Sequence, residues 1–337
     1  MNSNNRDLGI DFAKALACFA VIVLHVARSS SSAVCQSLYF LSGFAIPVFF
    51  MANGWFMLNR TECGWPYLAR KVARVLLVVL GWSVLVSAIL SFRSQAFVNP
   101  LLVAAKSLFQ RGELSHLWFF LSLIALWLLT PALRALTARF GRVPLLLSLL
   151  SCFAFSIWTF YAVATDSLPP ASVVPQPLRM WTWAACYLLG GSLARFVCGR
   201  GGGARTRRLA LAAVLLAACS WALQYAFGYL GHGVELAEYW YDSPVVLAYA
   251  ACLLLLCRSL LADLRPAGRV ARAVEACSGA SMGVYIVHYP VLRAVRPHVD
   301  LTGALPNLVF LVVFFALCLE LSLALGRLRA TRALVRL

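Results

Sequence analysis

The chain has 337 residues, of which 62% are hydrophobic and only 12% are charged, and its mean hydropathy is +0.83. This composition excludes an ordinary soluble domain and is typical of an integral membrane protein. The net charge of +17 would also suit a protein that binds nucleic acid, so the distribution of the cations along the chain decides its meaning.

Hydrophobic runs of roughly 20 residues divide the chain, and a helix of that length crosses a hydrocarbon core about 30 Å thick. They predict an all-α polytopic membrane protein with about ten transmembrane helices, forming a single integral-membrane domain over residues 1–337. No low-complexity tract or short-period repeat indicates a second domain. The predicted spans are 8–28, 39–58, 73–92, 116–136, 143–164, 178–198, 208–228, 241–261, 279–298 and 303–325.

The Lys and Arg residues are unevenly divided between the two predicted sides. With the N-terminus inside, 21 of them fall on the inner side and 7 on the outer side, and Lys14 lies within the first span. By the positive-inside rule, this asymmetry predicts that both termini are cytoplasmic. The basic charge is therefore explained as a topology signal, and nucleic acid is not expected as a partner.

The first predicted span, LGIDFAKALACFAVIVLHV, carries ionisable side chains at Asp11, Lys14 and His25. Lys14 and His25 are eleven residues apart, so they share a helix face within about 20° and are separated by roughly 16 Å along the axis. Asp11 falls on the same stripe. Because ionisable groups in a bilayer normally face the protein interior or a wet cavity, the stripe predicts one buried polar track. The alternative is an ordinary Asp11–Lys14 ion pair at i,i+3 and a His25 that only bonds a neighbouring helix.

The other histidines also fall towards the predicted outer side. His116 begins the fourth span, His288 lies in the outer half of the ninth, and His232 and His298 fall in outer loops. Neither a His-x₃-His pair nor an acid–His cluster occurs, and the 11 cysteines form no CxxC pair, so no metal is expected. An imidazole acting as general base near neutral pH is the better hypothesis.

Asp11, Lys14 and His25 in the first span resemble the first helix of the membrane-bound acyltransferase family 3, whose signature is an Arg eleven residues before a His. Lys14 stands in the place of that Arg, and lysine keeps the cation but loses the bidentate fork. Asn53 stands where the family's second helix has a Ser. The length resembles the stand-alone branch that O-acetylates enterobacterial common antigen. Similar segments follow in order over nearly the whole chain: IPVFFMANGWFM (46–57), the basic-loop segment ARKVARV (69–75), HLWFF (116–120), TP (130–131), YLLG (187–190) and SMGVYIVHYP (281–290).

The resemblance implies an integral-membrane O-acyltransferase of a bacterial-type cytoplasmic (inner) membrane. Such enzymes move an acetyl group from cytoplasmic acetyl-CoA to a hydroxyl of a cell-surface glycan or a lipid-linked saccharide. His25 would act as general base or as acyl-carrying nucleophile. The remaining candidates are His288 and His116 in catalysis, Lys14, Arg70, Lys71 and Arg74 at the CoA phosphates, and Arg179 and Tyr285 at the acceptor.

A secondary transporter or a small-solute membrane module, as in membrane serine racemases, is the main alternative, because ten spans with a polar track also suit a carrier. The two halves of the chain show no similarity and acidic coupling residues are few, which disfavours it. Simpler interpretations of single residues also stay open. Arg70, Lys71 and Arg74 fit plain positive-inside charge, and Arg179 and His288 fit headgroup and interhelical contacts.

Overall fold

The computed structural model describes residues 7–29, 32–196, 202–262, 268–301 and 303–335. Over these ranges the regular secondary structure is helical and contains no strand, which confirms the all-α class. Four cations counted on the inner side, Arg6, Arg200, Arg265 and Arg336, lie outside the described residues. The α-helices are α1 (Leu8–Val26), α2 (Ala33–Leu41), α3 (Ala45–Met57), α4 (Trp65–Ser94), α5 (Pro100–Leu108), α6 (Trp118–Phe140), α7 (Val143–Ala164), α8 (Pro170–Val173), α9 (Met180–Phe196), α10 (Gly203–Trp221), α11 (Pro244–Leu260), α12 (Arg269–Val295), α13 (Ala304–Arg327) and α14 (Arg332–Val335).

Shorter helical pieces join several of these elements. A ten-residue π-helix, Ala222–Gly231, continues α10 without a break. The 3₁₀ helices are Ala27–Ser29, Ser42–Phe44, Ser115–Leu117, Gln176–Leu178, Ala237–Trp240 and Arg296–His298.

Seven helical stretches of the described chain are long and apolar enough to cross a membrane: α1, α2 with α3, α4, α6 with its preceding turn, α7, α10 with the π-helix, and α13. Helices also occupy the other three predicted spans, namely α9 and α11 with 17 residues each and α12 with 27. A helix therefore occupies each predicted span, although several bounds differ, and a multi-pass membrane fold is confirmed.

The second predicted span begins earlier and is less regular than expected. It starts at Ala33 instead of 39, and the 3₁₀ turn Ser42–Phe44 separates α2 from α3. Pro47 has no N–H to donate to the carbonyl of Gly43, so the α-helical bond at this point cannot form. The Ser42 hydroxyl, moreover, donates to the Leu38 carbonyl at 2.7 Å. The polypeptide thus changes from α to 3₁₀ geometry where these two side-chain effects coincide.

The segment ARKVARV (69–75) does not form the loop that the resemblance implied. It lies within α4, which begins at Trp65, eight residues before the predicted start of the third span. Pro66 stands in the first turn, where the fixed φ of proline favours a helix and its missing N–H costs nothing. The basic side chains of this segment consequently project from a helix in different directions.

α1 lies at the centre of the bundle and contacts α3, α11, α12 and α13. Beside it, α3 and α9 pack backbone against backbone. A Cβ added to Gly54 would overlap the Tyr187 carbonyl oxygen, and one added to Gly190 would overlap the Met51 carbonyl oxygen. Small residues that allow such close approach are a usual basis of helix association in membranes. This contact fixes α3, which carries Asn53, against the rest of the bundle.

Candidate active site

The three candidate catalytic histidines meet at one end of the bundle. His25 comes from the end of α1, His116 from the turn before α6, and His288 from α12. The ring centroids of His25 and His288 are 5.0 Å apart, and those of His116 and His288 are 5.3 Å apart. We call these three residues the histidine cluster. The sequence predicted their common side of the membrane, and the structure brings the rings into contact.

Backbone hydrogen bonds hold two members of the cluster in place. His116 Nε2 lies 3.1 Å from the Ile286 carbonyl oxygen, and His288 Nδ1 lies 3.2 Å from that of Val284. The Tyr285 hydroxyl donates to the carbonyl of His116. The side chain and the backbone carbonyl of His116 therefore both bond to α12, and they attach the turn before α6 to that helix. His288 and His116 are 0% and 4% exposed, whereas His25 is partly buried.

Sequence reasoning missed Tyr289 as a neighbour of the cluster. Its ring centroid lies 5.2 Å from that of His25 and 5.1 Å from that of His116, and the residue is partly buried. Its position next to His288 in the chain gave no direct signal, because consecutive helix residues point about 100° apart. Tyr289 is therefore a fourth ring that packs against the cluster.

The opposite end of α1 begins at a charged cap. Asp7 Oδ1 accepts the backbone N–H groups of Gly9 and Ile10, both at 3.1 Å, and Asp7 Oδ2 pairs with Arg258 Nε at 2.9 Å. An aspartate at this position satisfies helix N–H groups that otherwise lack partners. The cap and its ion pair attach the start of α1 to α11, which sets the position of Lys14 two turns later.

Lys14 pairs with Asp11, as the simpler interpretation of the sequence proposed. Lys14 Nζ lies 2.8 Å from Asp11 Oδ1, and the Ser278 hydroxyl donates to the same oxygen at 2.7 Å. Lys14 nevertheless retains an exposed fraction of 26%, and it lines a cavity at this end of the bundle. Lys14 therefore forms the ion pair with Asp11 and also lies where a cation could contact the donor.

This cavity, which we call the basic cavity, has a volume of about 270 Å³. Three cations line it, namely Lys14, Arg60 and Lys71. The sequence predicted Lys14 and Lys71 as donor-binding residues but not Arg60. Arg60 lies with its guanidinium carbon 4.4 Å from the Tyr67 ring centroid, and Lys71 Nζ lies 4.4 Å from that of Trp127. The lining residues are Lys14, Ala52, Asn53, Phe56, Met57, Arg60, Tyr67 and Lys71.

Arg70 and Arg74, predicted with Lys71 to bind CoA phosphates, do not line the basic cavity. Both are exposed on α4. The segment is helical, so Arg70 points about 100° away from Lys71. Arg60 takes their place in the wall. The sequence contained it only as one of many inner-side cations, since the direction of a side chain just after a helix depends on the connection that follows.

Arg179, predicted at the acceptor, is instead the centre of a buried ion pair. The residue is 0% exposed; its Nη2 lies 3.0 Å from Asp242 Oδ2 and its Nη1 donates to the Glu238 carbonyl at 2.7 Å. The Thr182 hydroxyl also donates to Asp242. Burial raises the pKa of the nearby Glu238 carboxyl, against the opposing influence of the Arg179 guanidinium. Protein groups hold its guanidinium, so Arg179 joins the start of α9 to the segment before α11. Its predicted role at the acceptor stays a prediction.

Tyr285, the other candidate at the acceptor, is also engaged internally through its bond to the His116 carbonyl. Its ring contacts those of His116 and His288, with centroid separations of 5.5 and 5.8 Å. Tyr285 therefore supports the histidine cluster through the backbone of His116 and through ring contacts. Its predicted role at the acceptor stays a prediction.

The fold and the site together define a multi-pass helical membrane protein with a histidine cluster at one end of its central helix and a cation-lined cavity at the other. The model of acyltransferase family 3, described as an acyltransferase domain, matches residues 7–327. The chain belongs to this family and is a membrane acyltransferase. No curated protein and no solved structure matched the chain.

Proposed function

We propose that the protein transfers an acetyl group from cytoplasmic acetyl-CoA to a hydroxyl of a cell-surface glycan or a lipid-linked saccharide, in the inner membrane of a bacterial-type cell. One observation carries the proposal: in a member of an acyltransferase family, a partly buried imidazole and a cation-lined cavity lie on one face of the same helix, roughly 16 Å apart along its axis.

The basic cavity suits the donor by charge. The phosphates of CoA are dense negative charges, and Lys14, Arg60 and Lys71 offer ammonium and guanidinium donors for charge-assisted hydrogen bonds. The long, nearly neutral pantetheine arm would then follow α1 away from the cavity. Its thioester would reach the histidine cluster, while the polyanionic part stays at the basic end.

His25 then performs the chemistry. It takes the proton of the acceptor hydroxyl as that oxygen attacks the thioester carbonyl carbon; the C–S bond breaks, and the proton passes from His25 to the departing sulfur. The products are an acetyl ester and the CoA thiol. In the alternative route, a nitrogen of His25 attacks the thioester carbonyl carbon and the CoA thiol leaves; the acceptor hydroxyl then takes the acetyl group from the acyl-imidazole and its proton returns to His25.

His116 and the neighbouring Tyr285 act in this proposal by holding the site together. The Tyr285 hydroxyl and His116 Nε2 both donate to backbone carbonyls, so these donors are already used. Stabilisation of the tetrahedral oxyanion then falls to other donors, such as backbone N–H groups.

The proposal is tested by mass spectrometry of surface glycans and lipid-linked saccharides from cells with and without the gene. We expect an acetyl group that is absent without the gene, restored by the wild-type chain and not restored by His25→Gln. Identical glycans in all four strains would overturn the proposed acceptor class.

A further inference from the structure

We propose that His288 orients His25 by accepting a hydrogen bond from its ring N–H, and thereby decides which nitrogen of His25 is free to take a proton. The inference rests on the proposed role of His25 as base. In this proposal His288 is a positioning residue, because its side chain is 0% exposed and acts through His25.

The protonation of the His288 ring follows from its contact with the backbone of its own helix. Nδ1 lies 3.2 Å from the carbonyl oxygen of Val284. A carbonyl oxygen only accepts, so Nδ1 carries the proton and, in a neutral ring, Nε2 carries a lone pair. Nε2 is buried and has no hydrogen-bond partner among the described residues. A buried acceptor without a partner is costly and uncommon, so Nε2 marks a place where a donor belongs.

Four aromatic rings surround His288, and their own hydrogen bonds show which can supply that donor. His116 Nε2 donates to Ile286, which leaves its Nδ1 as an acceptor; this atom too is buried without a partner in the part of the chain that the structure describes. The Tyr285 hydroxyl donates to His116. Tyr289 follows His288 directly in α12, so the two side chains leave the helix about 100° apart, and their ring centroids are 6.4 Å apart. His25 remains, at 5.0 Å.

The separation of His25 and His288 fits such a bond. A ring nitrogen lies about 1.1 Å from the centre of an imidazole, and an N–H···N bond spans about 2.9 Å, so two bonded rings have centres about 5 Å apart. The observed interplanar angle is 47°, and the proposed bond requires the His25 ring to turn its N–H towards His288 Nε2.

The bond gives His25 a defined tautomer. The nitrogen that faces His288 keeps its proton, and the lone pair of the other nitrogen is free to take the proton of the acceptor hydroxyl. A carboxylate does this work behind the histidine of hydrolytic triads. Here the partner is neutral, which avoids burying a charge within the bilayer.

The direct test uses the full-length protein in lipid nanodiscs with ¹⁵N-labelled histidine, since the chain has only 5 histidines to assign. We expect nitrogen NMR to show a single neutral tautomer of His25 in the wild type. His288→Leu removes the acceptor and should give a mixture of tautomers, whereas His288→Gln keeps a carbonyl acceptor and should keep the single form. His116→Leu, the matched control, removes the other buried imidazole and should leave the His25 tautomer unchanged.

The kinetic test follows transfer from radiolabelled acetyl-CoA to membranes of cells that lack the gene. His288→Leu should lower kcat by about 10- to 100-fold, the range found for partners that orient a metal-ligating histidine, without changing the KM for acetyl-CoA. His288→Gln should stay within a few-fold of wild type. A purely structural His288 predicts the reverse order, because leucine suits an apolar site better than glutamine does.

An active His288→Leu enzyme, or unchanged His25 signals in that variant, would overturn the inference. If the wild-type enzyme transferred no acetyl group to these membranes, the proposed function would fail instead. The NMR comparison would still decide whether His25 and His288 are bonded.

Discussion

Lys71 and Arg70 are adjacent, carry the same charge and lie on the same helix, but only Lys71 lines the basic cavity. The structure therefore predicts that Lys71→Ala weakens acetyl-CoA binding and that Arg70→Ala does not. A hydrogen bond to a charged group contributes about 1.5–3 kcal/mol. Moving the ammonium away from the Trp127 ring would give up about 0.5–2 kcal/mol of cation–π attraction.

The net effect of Lys71 depends on whether both contacts coexist. If the ammonium leaves Trp127, roughly 1 kcal/mol remains, which is about a fivefold rise in Kd. If it keeps the ring and gains the phosphate, the full hydrogen bond remains and the rise is about tenfold or more. Lys71→Arg preserves the charge and should bind within a few-fold of wild type.

Isothermal titration of acetyl-CoA into the purified protein in nanodiscs measures these constants. The salt dependence of Kd should also become shallower in Lys71→Ala, because exposed charges are screened and a phosphate contact has been lost. Equal weakening by Arg70→Ala and Lys71→Ala would refute the placement of the donor in the basic cavity, and would favour a general attraction by the inner-side cations.

Four further predictions concern other parts of the molecule. His25→Gln and His25→Ala should both lower acetyl transfer by about 100-fold or more while the protein stays folded and inserted, since neither side chain can take the proton; an active Gln variant would remove His25 from the chemistry. Lys14→Ala should impair use of acetyl-CoA, and Lys14→Arg should retain substantial activity because the cation beside Asp11 remains; unchanged kcat and KM in the Ala variant would reduce Lys14 to a partner of Asp11. Reporter fusions should place the region near 202 in the cytoplasm and that near 234 outside, and the opposite result would invert the assigned direction of transfer. Burial raises the pKa of Glu238, so its ionisation costs stability as pH rises above the unfolded value; Glu238→Gln should raise Tm above pH 7 and lose this advantage as pH falls towards 4.5, and a pH-independent Tm difference would contradict the assignment.

The helices were predictable because burial in lipid imposes a length and an apolar composition on each span, and both can be read from sequence without knowing any neighbour. The common side of the three cluster histidines was predictable for a related reason, but their contact was not, since His232 and His298 fall on the same predicted side. His25, His116 and His288 each lie near the same predicted surface, so alternation of the helices places them on one side of the membrane.

The walls of the basic cavity were not predictable in the same way. Arg60 lies beyond the end of α3, and its contact with Tyr67 depends on how the chain turns into α4. Hydropathy also gave no sign that α4 begins at Trp65, because the basic side chains of 69–75 lower the apolar character of its first turns. The rotation of α4 about its axis then decided that Lys71 faces the cavity and Arg70 does not.

The Arg179–Asp242 ion pair has a consequence for how the protein is made. The partners are separated by 63 residues, and the ribosome adds about 5–20 residues per second, so roughly 3 to 13 s pass between their syntheses. During that time α9 enters the membrane with an unpaired guanidinium on the residue that precedes it, and only the arrival of Asp242 neutralises that charge. A chain that stalls or is truncated between these two helices should therefore be held as an unfinished intermediate, exposed to membrane quality-control proteases, while one that passes Asp242 becomes able to close the bundle.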